Sequence, residues 1–371
     1  MMQSQDQSEL MFNGEQDAML HRLANLERSE GAVVSCYLDA RAGKPACKEF
    51  LNQKAGQIRP TLRGAARLDF ENAVSMLHSA LDANWIPEAR GIAIFARGAL
   101  SGRHLTILHS ATTLGNRFVL YCRPELLPLV SLRQREPSFT LLLVNGDQVQ
   151  VIESKFGSVF SRSCADEASH AGRAGDTEDR EADDATQFAG SSTLQDGAWP
   201  IRKALAASTS PLLIAGNVES VQAVAGWLSS SDVERLAGSI PIAVGTETDK
   251  AMETVRRRVG AICQAECARL ASLLTNEDVI TGKALLGYRP TSQALRRREA
   301  GTVVIADWDQ PGLGLPWVEQ IELCNQALRE GVRVVLADSV YLRESGGVGC
   351  VLREEATYRN RDCGVDFVRV A

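Results

Sequence analysis

The chain has 371 residues, 44% hydrophobic and 23% charged, which suits two or three packed domains and is unlike a disordered polymer. Its net charge of −6 is local: residues 166–184 hold eight acids and two arginines, and outside them 38 acidic residues face 38 basic ones. No apolar run approaches the roughly 20 residues that span a bilayer, and the polar, mildly acidic residues 1–16 do not read as a secretory leader.

In chain order, residues Ala32 to Asp39 (AVVSCYLD) read as a buried strand. Leu51, Ala55, Ile58 and Leu62, and then Phe70, Val74, Leu77 and Leu81, recur at helical spacing. Ile92 to Ala96, Leu105 to Leu108 and Arg117 to Tyr121 read as short strands, and Pro124 and Pro128 mark the exit from this module. Phe139 to Val144 and Gln148 to Glu153 flank Asn145-Gly146-Asp147, a hairpin signal because both Asn and Gly tolerate positive φ. Residues 161–197 are too polar to offset their ordering entropy and are expected to form a mobile loop. Order resumes with Leu212 to Gly216, a helix bearing Val221, Val224 and Leu228, and a strand over Ile240 to Gly245. A long helix then aligns Met252, Val255, Val259, Ile262, Cys263, Cys267, Leu270 and Leu274 on one face. Thr302 to Ala306 and Val332 to Ala337, with the amphipathic helix of Trp317, Ile321, Cys324 and Leu328 between them, make a βαβ unit. In the tail, Gly346, Gly347 and Gly349 permit positive φ or close backbone approach, and Val348, Val351 and Leu352 are predicted to form an edge strand.

No catalytic constellation stands out. The histidines His21, His78, His104, His109 and His170 are dispersed, and there is no HExxH, GxSxG or P-loop. Nine cysteines without a CxxC pair fit reduced thiols in a cytoplasmic protein. Cys263 and Cys267 sit at i, i+4 inside an apolar stripe, so core packing is expected before zinc. Gly312-Leu313-Gly314-Leu315-Pro316 lacks the last glycine of a dinucleotide loop and reads as a turn into a helix. Asp307, Asp309 and Asp338 lie beyond predicted strand ends, where they could hold magnesium for a small phosphoester hydrolase; capping and turn formation are the plainer account.

The basic residues cluster. Lys283, Arg289, Arg296, Arg297 and Arg298 lie in a stretch with no acid, and Arg256, Arg257 and Arg258 are consecutive. Arg59, Arg63 and Arg67 recur every four residues and form one ridge if a helix continues through Pro60 and Gly64. In an otherwise neutral body these clusters favour a polyanionic partner such as RNA.

The tail GGVGCVLRE (Gly346 to Glu354) resembles the motif that closes the third domain of archaeal and eukaryotic peptide-chain release factors and of Pelota, with Gly346, Gly347, Gly349 and Arg353 as its structural residues. Gln293-Ala294-Leu295 before Thr302 to Ala306 is similar to that domain's helix leading into a strand. SCYLDAR (Ser35 to Arg41), GIAIFA (Gly91 to Ala96) and LLLVNGDQVQVIE (Leu141 to Glu153) resemble bacterial members of the superfamily. The resemblance implies an α/β protein of three mixed α/β domains in a release-factor/Pelota-like arrangement. They would comprise a flexible stretch 1–20, a first domain 21–135, a middle domain 136–279 carrying the mobile acidic loop, and a third domain 280–371.

It further implies a ribosome-binding factor of rescue or hibernation that enters the A site, contacts ribosomal RNA and meets a translational GTPase, without DNA, membrane or cofactor. The RNA contacts would fall to Arg59, Arg63, Arg67, Lys283, Arg289, Arg296, Arg297 and Arg298. Release factors use Gly-Gly-Gln to orient the attacking water, and the stop-codon motif Asn-Ile-Lys-Ser; neither occurs here. The expectation is therefore a factor without hydrolytic activity. The alternatives are the magnesium-dependent hydrolase above, or an interaction module using its acidic tract.

Overall fold

Among the described residues, runs of alternating or continuous apolar residues give one antiparallel and two mixed sheets, interleaved with helices. The computed structural model describes residues 15–26, 32–145, 148–155, 158–161, 192–193, 199–206, 208–274, 279–306, 316–337 and 340–353. The chain opens with helix α1 (Glu15–Ala24), strand β1 (Val33–Asp39), helices α2 (Gly43–Ile58) and α3 (Gly64–Ala83), strands β2 (Gly91–Arg97), β3 (His104–Ser110) and β4 (Arg117–Tyr121), and helix α4 (Leu127–Arg135). Next come strands β5 (Phe139–Asn145), β6 (Gln148–Lys155), β7 (Ser158–Ser161) and β8 (Ser192–Thr193), helix α5 (Trp199–Ala206), strand β9 (Leu212–Gly216), helices α6 (Val218–Ala225) and α7 (Ser230–Glu234), strand β10 (Leu236–Pro241) and helix α8 (Thr248–Ser272). The described chain closes with strand β11 (Ala284–Leu286), helix α9 (Tyr288–Arg296), strand β12 (Ala300–Ile305), helix α10 (Trp317–Arg329), strand β13 (Arg333–Leu336), helix α11 (Val340–Glu344) and strand β14 (Val348–Leu352).

Two compact units result, one of Met19–Arg135 with Ile262–Ala371, the other of Met1–Ala18 with Glu136–Ala261. In the first, β3-β2-β1-β4 form an antiparallel sheet. The period of two sends Val34, Cys36 and Leu38 of β1 toward α2 and α3, where they meet Leu51, Ala55, Phe70, Val74, Leu77 and Leu81. Each fully buried leucine there contributes roughly 1.5–3 kcal/mol. Tyr37, on the other face, meets Phe95 edge-to-face at 5.8 Å and donates from its hydroxyl to the carbonyl of Glu125. Residues past Pro124 do not simply leave the module. They form α4, which tolerates Pro128 in its first turn because that amide has no intrahelical partner.

The same unit holds the sheet β11-β14-β12-β13. β12 and β13 are parallel across the α10 crossover, as the βαβ reading expects. The predicted edge strand is instead central: β14 runs antiparallel between β11 and β12. The cause is β11, three residues too short to read, which covers the outer side of β14. The open edge of β13 is closed by side chains of α4. Gln134 donates to the Leu336 carbonyl at 2.9 Å and accepts from its amide at 2.7 Å, and Arg133 donates to the Val334 carbonyl at 2.6 Å. Helix α10 adds Asn325, donating to the Pro124 carbonyl, and Glu322, which accepts from Tyr121 and Arg123, each at 2.9 Å.

In the second unit the order is β10-β9-β5-β6-β7, with β8 beside β6. β5 and β6 pair from Phe139↔Ser154 to Asn145↔Gln148, a two-residue connection whose Gly146 and Asp147 lie outside the described residues. Leu142, Val144, Val149 and Val151 share a core with Ile201, Leu205, Leu212 and Ile214. The strand expected over Ile240 to Gly245 lies earlier, at Leu236–Pro241. Its parallel register with β9 includes a bulge at Gly238 (φ +146), and Pro241 is its last residue, lacking an amide to extend the ladder. Among the described residues no helix is long and apolar enough to cross a membrane.

Candidate nucleic-acid interface

The register of the β11-β14-β12-β13 sheet gathers a set of cations at one end. Lys283 immediately precedes β11 and Arg353 immediately follows β14, and because these strands run antiparallel the two residues are neighbours; the Leu352 amide donates to the Lys283 carbonyl at 2.9 Å. The Arg353 amide donates to the Glu299 carbonyl at 2.9 Å, and its guanidinium to the Ala300 carbonyl at 3.1 Å. Arg296, Arg297 and Arg298 stand just before β12 at this same end. All five cations are exposed. Among the described residues, Glu299 is half-buried beside these cations and Glu330 lies 3.6 Å from Arg298.

The backbone at this corner is unusual. Helix α9 ends with the Arg298 amide donating to the Leu295 carbonyl and the Glu299 amide to the Ala294 carbonyl, each at 2.9 Å, the paired bonds of a Schellman cap. The cap's left-handed position normally holds glycine; here it is Arg298, at φ 60, the one non-glycine residue of positive φ among those described. A side chain there costs about 1–2 kcal/mol, so a cation occupies a position where a glycine would be more stable. Such a residue directs attention to function.

The other predicted contacts are not gathered there. Arg289 begins α9, about 10 Å along the helix from Arg296, on the side where the Gly287 amide donates to the Val348 carbonyl. The ridge of Arg59, Arg63 and Arg67 does not form. α2 ends at Ile58, Arg59–Thr61 make a 3-10 turn containing Pro60, and Arg63 is extended (φ −138, ψ 156) before α3 starts at Gly64 with φ +55. Arg59 forks onto Glu71 at 2.5 and 3.1 Å, and that hydrogen bonding holds the Glu71 carboxyl below its ordinary range. Arg63 and Arg67 remain exposed.

In the glycine motif, Gly346 (φ +84) and Gly347 (φ +80) turn the chain from α11 into β14. The Gly347 amide donates to the Leu342 carbonyl, and its carbonyl accepts from Ala306. A Cβ at Gly349 would stand 2.9 Å from the Leu285 carbonyl oxygen and 3.2 Å from Leu274 Cδ1, so β11 approaches only because that position is bare. Arg353, singled out by sequence for this motif, thus also adds its charge to the cationic corner, a placement only the β11–β14 register reveals.

Reactive groups are dispersed. Cys263 and Cys267 are buried, with Gln134 donating to Cys267 Sγ at 2.9 Å, and burial pushes the Cys263 thiol up to about 11. Among the described residues no group of His, Cys, Asp and Glu could hold a metal ion. Asp307, Asp309 and Asp338, the Gly312–Leu315 turn and the acidic tract 166–184 lie outside the described residues.

No family model matches the chain, and no curated protein matches it. Solved structures do. An archaeal translation termination factor, aRF1, is 13% identical, with 91% of this chain and 97% of that chain covered and a TM-score of 0.28. Pelota of Archaeoglobus fulgidus is 15% identical, with 71% and 79% covered and a TM-score of 0.28. S. cerevisiae Dom34, described as a translation termination-like factor involved in RNA quality control pathways and interacting with Hbs1, is 8% identical, with 71% and 79% covered and a TM-score of 0.39.

Proposed function

We propose that this chain is a non-catalytic ribosome-associated factor that enters the A site during translation rescue or stress hibernation, contacting ribosomal RNA through phosphates and meeting a translational GTPase. The observation that carries the reading is the cationic corner of Lys283, Arg296, Arg297, Arg298 and Arg353, five exposed cations on strand ends and a capped helix of one sheet. Fixed spacing on rigid elements suits recognition of successive phosphates, and Arg is the residue whose planar fork matches them. The order of the release-factor-like motifs along the chain supports the same assignment, and the missing Gly-Gly-Gln supports binding without hydrolysis.

The test is ribosome pelleting across a salt series. Wild type is expected to co-sediment at low salt and to release as salt rises, because each Lys or Arg on a phosphate displaces counterions. Changing Arg296→Glu, Arg297→Glu and Arg298→Glu together should flatten the log–log salt slope by about 2–3 and shift release to lower salt. A protein that stays at the top of the gradient at low salt, in extracts of growing and starved cells alike, refutes the proposal.

A further inference from the structure

Strand β4 has an open side. Among the described residues it lies at the edge of its sheet and pairs with β1 alone, so every second residue turns its N–H and C=O away from the sheet. Among the described residues no hydrogen bond from any element but β1 reaches Phe118, Val119 or Leu120. The contrast with β13, whose free edge is occupied by Arg133 and Gln134, is direct.

This open edge forms the floor of a cleft of about 600 Å³, walled by Lys54 and Ile58 of α2 and by Trp317 at the start of α10. Trp317 is 48% exposed although it meets Tyr121 edge-to-face at 5.7 Å. Phe118 and Leu120 lean toward the helices, while Arg117 and Tyr121 point to the other face, toward Glu125 and Glu322. Among the described residues the lining contains no acid. The charge of Arg117 is matched by Glu125, with bonds of 2.5 and 2.7 Å, whereas Lys54 lies over the Phe50 ring, 5.8 Å from its centre, without an ion pair among the described residues. One cation, an apolar wall and an unpaired strand edge thus meet in one cleft.

We infer that this cleft docks an extended segment of a partner protein by strand addition to β4, the segment alternating apolar side chains with acidic ones. Main-chain pairing along the edge would supply affinity, and Ile58, Trp317 and Lys54 would choose the side chains. The inference is independent of RNA binding at the cationic corner, because it uses none of those residues.

The test titrates the full-length chain with a synthetic octapeptide alternating valine and glutamate, and with the same peptide N-methylated at every second residue. Binding is read by calorimetry and by shifts of the amide resonances of residues 117–121. Saturable binding should weaken at least about tenfold on N-methylation, which removes pairing donors but keeps the side chains. Lys54→Glu, a surface change, should weaken it severalfold and more at low salt. Failure of the peptide to bind overturns the inference, as does equal binding of the N-methylated peptide. So does an RNA oligonucleotide that displaces the peptide and loses its own affinity in Trp317→Ala.

Discussion

Arg298→Gly separates two roles that most substitutions would confound. The variant relieves a left-handed side chain at φ 60, a gain of about 1–2 kcal/mol. Against this stand the added freedom of an unfolded glycine, roughly 0.5–1 kcal/mol, and the exposed pair with Glu330 at 3.6 Å, worth at most about 0.5 kcal/mol in solvent. The balance is a stabilisation of about 0.5 kcal/mol, while one cation of the proposed phosphate contacts disappears. Arg298→Ala is the control: it loses the cation but keeps the strain. Urea unfolding should rank glycine at or above wild type and alanine at or below it. Ribosome pelleting should show both variants weakened alike, with the salt slope reduced by about 0.7–0.9. If the glycine variant unfolds more than about 1 kcal/mol earlier than wild type, the strain argument is wrong. If it binds ribosomes with an unchanged slope, Arg298 contacts no phosphate.

Three further outcomes follow from the packing. Gly349→Ala places a methyl 2.9 Å from the Leu285 carbonyl oxygen, so β11 must shift, at a cost of about 1–3 kcal/mol in urea unfolding; a change below 0.5 kcal/mol would show that β11 is free to move. Glu266 accepts from Arg269 at 2.7 and 2.9 Å and lies 3.5 Å from the largely buried Arg333. The Arg269 hydrogen bonds hold its carboxyl below the ordinary range, against desolvation. A carboxyl lowered on folding stabilises fully above its unfolded pKa, about 4.3, and that contribution is lost as pH falls through the folded value. Glu266→Gln should therefore lower stability by about 1–3 kcal/mol at pH 7 and by less at pH 3–4; a pH-independent difference refutes it. Cys122 is the partly exposed thiol among the described cysteines, while burial pushes Cys324 and Cys350 up to about 12. Mass spectrometry after brief alkylation should find Cys122 modified before Cys324 or Cys350, and the reverse order would contradict the burial.

Elements with strong periodicity were legible from sequence: β1, α3 and the βαβ unit of β12, α10 and β13 follow from alternating or helically spaced apolar residues. What escaped depended on partners distant in the chain. β11 has three residues and no pattern of its own; only pairing with β14 makes it a strand, and that pairing moves β14 from edge to centre. β10 was displaced by its register with β9, a tertiary constraint invisible in Leu236–Pro241 alone. The arginine ridge failed at Pro60 and Gly64, the two residues that carried the warning. For the candidate site, composition identified the arginines of 296–298, but neither the left-handed backbone at Arg298 nor the arrival of Arg353 beside Lys283 could be read without the strand register.

The position of the cationic corner also has a purely structural explanation, and its particulars decide how far that explanation reaches. Cations in the last turn of a helix offset the exposed carbonyl ends, and Arg296 stands there in α9. That accounts for Arg296, and for Arg297 at the C-cap, by about 0.3–1 kcal/mol each. It does not account for Arg298, whose left-handed placement costs at least as much as such an interaction returns. Nor does it account for Lys283 and Arg353, which belong to strand ends rather than to the helix. A surface shaped by folding stability alone would place glycine at the cap and scatter the remaining charges. Convergence of three separate chain segments on one exposed corner, with one of them strained, is thus left over by folding stability, and contact with closely spaced anions is the account proposed for it.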